Sequence, residues 1–386
     1  MWSLGGGPYA DVLRTRGVTT DVSPRGFRLD PRPLLSLHRL IRSWRPDMVH
    51  SWGWMSSLAC LLVCRLNRVP FIDGSVRTGA APPGRRVLPR LVVRQSSHVV
   101  ANSRAGLIAW KVPSAKGRVV HNGFDFQRLN GLACYLPRRN RFEVVMVARV
   151  AREKDYPTFC DAARYLQGVE PGQWHFTAIG DGDSRERLMR AYHDVSASGA
   201  LDFVGFLDEV LPAMASADVG VLLTDPAIAR EGCSNTLMEY MACGLPVLCT
   251  DGGGNPELIE SGKTGLVITA GSLGDFIGGL VLLRDDEELR SRLGGAAARH
   301  LRQCHSPGAM ADAYVALYRA SIARDHRACS CAAPFAKVAE QCPTGGRRSR
   351  LRRIGQGLRW LAAHTGRGRG SNKLESRNAS VGRDGQ

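Results

Sequence analysis

Two glutamates that are eight residues apart are the first groups in this sequence that suggest chemistry. Glu231 is followed by a glycine, which favours a break in the chain, and Glu239 lies in the helix-like run that comes next. We therefore expect Glu231 in a loop before a helix and Glu239 two turns inside that helix. The alternative is a pair of surface carboxylates that flank an amphipathic helix.

The start of this predicted helix carries side chains that favour helix N-termini. Ser234 or Asn235 is expected to be the N-cap, with Thr236 in the first turn and Ala242 at the end. Backbone amides in a first helical turn have no helical partner, and the helix dipole favours negative charge there. The segment therefore predicts a phosphate site at a helix N-terminus.

Two cations follow a strongly apolar run that predicts a strand. Arg149 and Lys154 come after residues 144–148, and open α/β sheets bind ligands at the carboxyl ends of their parallel strands. Cations in this position would neutralise the charge of a bound anion. Arg152, between them, is expected to face solvent. The alternative for the pair is a solvated surface loop.

A pair of glycines marks another strand-to-helix turn. Gly180 and Gly182 follow an apolar run and precede a helix-like stretch, but the third glycine of a dinucleotide-binding loop is missing. The pattern is equally compatible with a loop beside a phosphate and with an ordinary strand-to-helix turn.

Parallel strands must position these groups, and the sequence predicts a sufficient number of them. Strand-like runs alternate with helix-like stretches along most of the 386 residues, which is typical of the α/β class. The first half predicts strands at 46–50, 70–73, 98–101 and 118–125. The second half predicts a six-stranded sheet from the runs at 142–147, 174–179, 201–204, 219–223, 245–249 and 265–268.

A loop rich in Pro, Arg and Asn at 131–141 separates the two halves. The boundary is placed there, which gives a first lobe at 1–135, a second lobe with closing helices at 136–326, and a tail at 327–386. Within the tail, residues 347–364 predict a basic amphipathic helix. The remainder of the tail is expected to be disordered.

Composition and charge restrict the partners. The net charge is +17, and the tail carries +10 of it, with 13 Lys/Arg and 3 Asp/Glu. Such a tail predicts either docking on an anionic membrane or simple solvation, and its lack of interleaved aromatics argues against specific nucleic-acid binding. The 11 cysteines form no CxxC pair, which favours a reducing cytosol. The expected location is cytoplasmic, with any contact at the inner membrane face being peripheral.

The segment around the two glutamates resembles a known family. Glu231-x7-Glu239, with Met-Ala-Cys-Gly-Leu-Pro-Val at 241–247, is similar to the retaining glycosyltransferases of family GT4. The resemblance extends over residues 47–322 and is denser in the second half. It implies the GT-B fold, in which two Rossmann-like lobes face each other across a cleft. It also implies that Glu231 hydrogen-bonds the donor sugar and that Glu239 binds the ribose of the nucleotide.

The same resemblance gives roles to the other motifs. Arg149 and Lys154 look like the diphosphate clamp of the family, and Gly180 and Gly182 look like its Gly-x-Gly segment beside the nucleotide. Residues 252–257 resemble a Gly-Gly-x-x-Glu segment, which is interpreted as structural support near the cleft.

The first half matches the family less well, and Asp73 is the main departure. Many relatives have a histidine near this strand end that contacts the donor sugar at the reaction centre. Either Asp73 takes over that catalytic role or the comparison with the histidine does not apply. Trp52 and Trp54 follow the preceding strand, where they would stack on a sugar or belong to the core.

The start of the chain also departs from the family. Relatives begin with an apolar strand and a glycine-rich loop that faces the donor phosphates and the acceptor. Here the start, from Met1 through Gly5-Gly-Gly7, resembles the end of the second strand of the family and the segment that follows it. The first strand and its loop are therefore expected to be missing, so that the first lobe is incomplete.

The predicted function is transfer of a sugar from a nucleotide-sugar donor, such as a UDP-sugar, to the hydroxyl of a sugar or lipid-linked acceptor. The resemblance implies retention at the anomeric carbon, a pathway in polysaccharide or glycolipid biosynthesis, and no cofactor or metal. The main alternative is a truncated, non-catalytic remnant that at most binds nucleotide. A nucleic-acid-binding protein and a nucleotide-sugar epimerase are further alternatives, and the Glu231/Glu239 segment argues against the epimerase.

Overall fold

The first half of the chain alternates short strands with helices. The computed structural model describes residues 1–27, 30–79, 87–132 and 140–326. The elements of the first half are β1 (Trp2–Ser3), α1 (Pro8–Thr15), β2 (Asp21–Val22), α2 (Arg32–Trp44), β3 (Val49–Ser51), α3 (Trp54–Asn67), β4 (Phe71–Val76), α4 (Val87–Gln95), β5 (His98–Ala101), α5 (Arg104–Ala109) and β6 (Gly117–Val119).

The second half follows the same alternation with longer elements. A 3-10 helix (Phe126–Leu129) precedes β7 (Phe142–Val147), α6 (Tyr156–Val169), β8 (Trp174–Ile179), α7 (Arg185–Ala191), α8 (His193–Ala197), β9 (Leu201–Gly205), α9 (Leu211–Ala215), β10 (Val219–Leu222), α10 (Asn235–Ala242), β11 (Val247–Thr250), α11 (Asn255–Leu258) and β12 (Leu266–Ile268). Three helices end the described chain: α12 (Leu273–Asp285), α13 (Glu287–Cys304) and α14 (Pro307–His326).

Each half builds its own parallel sheet. The first-lobe sheet has four strands in the order β3-β4-β5-β6, and β1 pairs separately with β2. The second-lobe sheet has the six strands that the sequence predicts, and the structure arranges them in the order β12-β11-β10-β7-β8-β9. Parallel strands end at a common edge, so the loops after β7, β8 and β10 come close together at one side of the second lobe.

Packing of α10 on the second-lobe sheet depends on one aromatic ring and one glycine. Tyr240 is fully buried, and a Cβ on Gly220 in β10 would lie 2.3 Å from its ring. The Tyr240 hydroxyl accepts a hydrogen bond from the Val147 amide at 2.7 Å and donates to the Val221 carbonyl at 3.1 Å. Only a residue without a side chain lets the ring lie this close to the strand, and the ring in turn fixes the position of α10.

The last helix returns to the first lobe. Leu317 of α14 packs with Ile72 and Val100 in one buried cluster, and the Tyr318 hydroxyl lies 2.7 Å from Nδ1 of His50. The sequence assigns this helix to the second-lobe span 136–326. In space it belongs to the first lobe, because its apolar side covers the four-stranded sheet. Residues 133–139, within the predicted boundary loop, and the tail from 327 lie outside the described residues.

One predicted helix is divided in two. A single helix is expected over 184–195, whereas α7 ends before Tyr192 and α8 begins after it. The Tyr192 ring is buried, and its hydroxyl donates to the Asp161 carboxylate at 2.9 Å. Anchoring of this side chain to α6 accounts for the break.

Removal of the Tyr240 hydroxyl should test how strongly it fixes α10. We expect Tyr240→Phe to lower the free energy of unfolding by about 1–3 kcal/mol, because the Val147 amide and the Val221 carbonyl each lose a buried partner. Urea denaturation measures the change. Tyr9→Phe is the matched control because Tyr9 is 80% exposed. Equal stability of the two variants would contradict the role given to the hydroxyl.

Candidate active site between the two lobes

A cavity of about 430 Å³ lies between the two lobes. The first lobe contributes Arg77 and Asn102, which directly follow β4 and β5. The second lobe contributes the segment after β7 and the start of α10. The cavity therefore lies where strand ends of both sheets meet. Its lining includes six of the residues that the sequence predicts, namely Arg149, Lys154, Glu231, Ser234, Asn235 and Thr236.

Glu231 and Lys154 form an ion pair at the cavity wall. Oε1 of Glu231 contacts Nζ of Lys154 and accepts a hydrogen bond from the Thr224 hydroxyl at 2.9 Å. Less than a fifth of either charged side chain is exposed, so the pair is poorly screened by water. The carboxylate keeps acceptor capacity for a ligand hydroxyl, and the ammonium has two further N–H donors for an anion.

The loop that carries Glu231 packs backbone against backbone. A Cβ on Gly232 would lie 2.4 Å from the Arg77 carbonyl of the first lobe. The Gly254 amide donates to the Glu231 carbonyl at 2.9 Å. Glycine at 232 therefore serves a close approach between the lobes, in addition to the chain break that the sequence predicts.

Arg149 lies at the open side of the cavity. Its side chain is 70% exposed and pairs with Glu153, one turn further along the loop. Burial alone would raise the pKa of Glu153, but its backbone hydrogen bond and the charges of Arg149 and Lys154 lower it. Arg152 is exposed, as the sequence predicts. The second lobe thus supplies one exposed cation, Arg149, and one largely buried cation, Lys154, and both are ion-paired.

The N-terminus of α10 faces the cavity. Ser234 is the N-cap, and its hydroxyl accepts a hydrogen bond from the Leu237 amide at 3.4 Å, which confirms the predicted cap. The positive end of the helix dipole therefore points at the space between the lobes, where an anion would be stabilised.

Polar contacts across the cleft hold the lobes together beside this helix. The Asn122 side-chain amide donates to the Cys233 carbonyl at 3.1 Å and to Oδ1 of Asn235 at 2.9 Å. The Gly79 amide donates to the Arg230 carbonyl at 2.9 Å. The sequence places Asn122 only within the strand-like run 118–125, and the structure adds this bridge.

Glu239 lies outside the cavity lining. It is the fifth residue of α10, so the prediction that it lies two turns inside the helix is wrong; it lies just over one turn from the start. One carboxylate oxygen accepts a hydrogen bond from Nη1 of Arg128 at 2.7 Å. A ligand that reached Glu239 would share the carboxylate with this guanidinium.

Gly180 and Gly182 pack against the loop that carries Arg149. A Cβ on Gly180 would lie 2.1 Å from the Ala148 carbonyl, and one on Gly182 would lie 2.4 Å from the Val150 carbonyl. Gly180 also has a φ of 136°, which other residues rarely adopt. The two glycines do not line the cavity, so this geometry favours the strand-to-helix turn among the two predicted alternatives.

Asp73 is not brought to the cavity. Its side chain is fully buried, and Oδ1 accepts hydrogen bonds from the Ser57 hydroxyl at 2.7 Å and the Ser75 amide at 3.0 Å. The expectation of a catalytic Asp73 is corrected, because the carboxylate points into the first lobe. Arg77, four residues later, is the group from this segment that lines the cavity.

Arg77 is a site residue that sequence reasoning missed. It directly follows β4, and a cation at the carboxyl end of a parallel strand is the signal that identifies Arg149. Its guanidinium lies 4.4 Å from the ring centre of Trp52, which is half-exposed. Trp52 thus orients a first-lobe cation toward the cavity.

Glu257 of the second lobe caps a helix of the first lobe. Its two carboxylate oxygens accept hydrogen bonds from the Arg104 and Ala105 amides, both at 2.7 Å, and His121 lies at 3.5 Å. Burial alone would raise the pKa of Glu257, but these hydrogen bonds lower it. The structural role that the sequence gives to the segment 252–257 thus takes a specific form, an ionised bridge between the lobes.

A cluster of histidines beside this bridge should make stability depend on pH. His305 is buried, and burial together with neighbouring His121 and His300 lowers its pKa to about 4. The unfolded chain, with a histidine pKa of about 6.5, then binds more protons than the folded chain between these two values. Stability is therefore complete above pH 6.5 and is lost as the pH falls toward 4.

We expect His305→Gln to reduce the loss of stability between pH 7 and pH 5 by about 1–2 kcal/mol. Urea denaturation at both pH values measures the difference. His193→Gln is the control, since His193 is exposed. If the two variants lost the same stability as the wild type, His305 would not be the group that titrates.

Comparisons with known proteins give the enzyme class to which this fold and cavity belong. Residues 4–128 match the family model described as Glycosyltransferase Family 4, and residues 141–286 match the model described as Glycosyl transferases group 1. The chain belongs to this glycosyltransferase family, so the predicted enzyme class is confirmed. The GT-B fold class is confirmed as well.

Two curated relatives indicate the range of similarity. The chain is 29% identical over 174 residues to the lipopolysaccharide core biosynthesis glycosyltransferase LpsE of Rhizobium meliloti, a match that covers 45% of this chain and 48% of that protein. It is 25% identical over 315 residues to a UDP-Gal:alpha-D-GlcNAc-diphosphoundecaprenol alpha-1,3-galactosyltransferase of Escherichia coli, which covers 73% and 79%. The chain thus spans about half the length of the first of these relatives.

A solved structure shows the same fold. The structure of Anabaena Alr3699/HepE in complex with UDP has a TM-score of 0.70 at 18% identity, and the match covers 83% of this chain and 91% of that one. This likeness extends over both lobes and supports the two-lobe arrangement.

Proposed function

We propose that this protein transfers a sugar from a nucleoside-diphosphate sugar to an acceptor hydroxyl, with retention at the anomeric carbon. The observation that carries the proposal is the cavity in which cations of both lobes and the N-terminus of α10 surround one space. A leaving diphosphate needs such a concentration of positive charge. The relatives LpsE and the diphosphoundecaprenol galactosyltransferase support a role in polysaccharide or glycolipid biosynthesis for the cell envelope.

The cations and the helix would stabilise the leaving group. Lys154 and Arg149 would approach the diphosphate from the second lobe, and Arg77, which lines the same cavity, would approach it from the first. The backbone amides at the start of α10 supply further donors. Together these groups would balance the charge that develops as the bond between sugar and phosphate breaks. We assign to this stabilisation of the leaving group the largest contribution to catalysis.

The two glutamates would bind the neutral parts of the donor. Glu231, which contacts Lys154 and Thr224, would accept hydrogen bonds from sugar hydroxyls. Glu239 would accept hydrogen bonds from the ribose, with Arg128 sharing its carboxylate. The lobes would close around donor and acceptor and exclude water, which protects the donor from hydrolysis.

The proposed location is cytoplasmic, at the inner face of a membrane that carries the acceptor. Within the described ranges, none of the helices combines the length and the apolar character that a bilayer crossing requires. The basic tail from 327 is proposed to contribute anionic-lipid contacts, and it lies outside the described residues.

Calorimetric titration with UDP, GDP and their common sugar conjugates tests the donor site. We expect one nucleotide to bind and Glu239→Ala to weaken that binding by about tenfold or more, because the ribose loses a charged acceptor. Glu186→Ala is the matched control, as Glu186 is an exposed carboxylate on α7. Failure of the folded wild type to bind any of these nucleotides would contradict the proposal.

Lys154→Met should separate catalysis from binding. We expect nucleotide release from the donor to slow by about 100-fold, since the leaving diphosphate loses its most buried cation, while the affinity for the donor falls much less. The control is Lys263→Met, which removes an exposed surface cation. An unchanged rate in Lys154→Met would show that Lys154 does not act on the leaving group.

A further inference from the structure

A threonine just after β10 contacts both members of the ion pair at the cavity wall. Thr224 is buried, and its backbone forms an antiparallel bridge with Lys154. Its hydroxyl donates a hydrogen bond to Oε1 of Glu231 at 2.9 Å. The ammonium and the carboxylate that line the cavity therefore meet on one residue, although they come from separate loops of the second lobe.

Backbone hydrogen bonds fix the loop that carries Lys154. The Asp155 amide donates to the Leu223 carbonyl at 3.2 Å, and the Asp225 amide donates to the Glu153 carbonyl at 3.1 Å. One of these bonds lies on each side of the antiparallel bridge. The backbone that carries the ammonium therefore has little freedom to move relative to the threonine, whatever its side chain contacts.

A second buried threonine supports Thr224 from the neighbouring strand. Thr250 is the last residue of β11, and its hydroxyl accepts a hydrogen bond from the Thr224 amide at 3.2 Å. The Thr250 carbonyl in turn accepts one from the Asn255 side-chain amide at 3.1 Å. Support of this kind lets a side chain hold its neighbour in a single, well-defined place.

Both contacts of the Glu231 carboxylate fall on the same oxygen. The Thr224 hydroxyl and the Lys154 ammonium both contact Oε1. Two donors that reach one oxygen from separate loops restrict the rotation of the carboxylate. In the part of the chain that the structure describes, no hydrogen bond reaches Oε2, so its lone pairs are available to a hydroxyl group of a ligand in the cavity.

We propose that Thr224 is a positioning residue for the transfer reaction. Its backbone sets the place of Lys154, and its hydroxyl turns the Glu231 carboxylate so that Oε1 stays on the ammonium and Oε2 is left to a sugar hydroxyl. Thr224 does not itself line the cavity, so it acts only through these two groups. The role rests on the proposed function, in which Glu231 binds the donor sugar and Lys154 acts on the diphosphate.

Thr224→Val tests this role, because it removes the hydroxyl and keeps the branched shape of the side chain. With the UDP- or GDP-sugar that binds the wild type, we expect kcat for nucleotide release to fall by about 10- to 100-fold, since the donor sugar is no longer held in line. The affinity for UDP or GDP alone should stay within about twofold. Thr224→Ser retains the hydroxyl and should restore kcat to within about threefold of the wild type.

Thr264→Val is the matched control for the kinetic measurement. Thr264 is buried, its hydroxyl accepts a hydrogen bond from the Glu260 amide at 2.9 Å, and it does not line the cavity. This variant should therefore keep the wild-type kcat. A wild-type kcat in Thr224→Val would overturn the proposal, and so would a Thr224→Ser variant as slow as Thr224→Val.

Crystal structures of the ligand-free variants separate this role from the proposed function. In Thr224→Val the Glu231 carboxylate should be found in more than one orientation, whereas Thr224→Ser should keep the single orientation of the wild type. One wild-type orientation in Thr224→Val would overturn the proposal. A wild type that turns over no donor would contradict the proposed function, whereas the structures report on the hydroxyl in either case.

Discussion

The close backbone contact around the Glu231 loop is the constraint on which the site depends. A Cβ on Gly79 of the first lobe would lie 2.4 Å from the Glu231 carbonyl, and one on Gly253 would lie 2.3 Å from the same atom. The Gly79 amide also donates to the Arg230 carbonyl. The loop is therefore held from both sides by residues without side chains, and any larger residue would force it to move. This contact joins the lobes and fixes the backbone from which the Glu231 side chain reaches Lys154.

Two other contacts keep the groups of the site in position once this loop has joined the lobes. Tyr240 holds α10 against Gly220, so the helix N-terminus stays at the end of the second-lobe sheet. Glu257 of the second lobe accepts hydrogen bonds from the first turn of a first-lobe helix. This contact between the lobes helps to hold Arg77 opposite the start of α10, so that both line the cavity. Side chains from two separate sheets thus line one cavity because backbone contacts, more than side-chain flexibility, set the distance between the lobes.

The part of the site that follows from local sequence was predictable. Parallel strands end at a common edge, so the positions of Arg149 and Lys154 after β7 followed from recognising one apolar strand. The N-cap at Ser234 followed from helix-capping chemistry. The six strands of the second lobe were identified for the same reason, since each is a short apolar run bounded by turn residues.

The part that depends on the direction of a side chain or on distant contacts was not predictable. The sequence predicts that the strand ends at Asp73, whereas β4 continues to Val76 and only Arg77 follows it. The structure therefore directs Asp73 to Ser57 while Arg77 lines the cavity. No local sequence pattern indicates that α14 packs on the first lobe, because its apolar residues could pack on either sheet. Glu239 was placed one turn too deep although the predicted cap was right, because the four-residue step from Asn235 to Glu239 amounts to little more than one helical turn.

The most direct test of the account is the rate of nucleoside diphosphate release from the donor by Gly79→Ala. The added methyl group should push the first lobe away from the Glu231 loop and leave the second-lobe sheet intact. We predict that nucleotide affinity stays within about twofold while the rate falls by about tenfold or more. Gly5→Ala, where a Cβ meets nothing within 4 Å, should match the wild type. A wild-type rate in Gly79→Ala would show that the close contact between the lobes does not assemble the site.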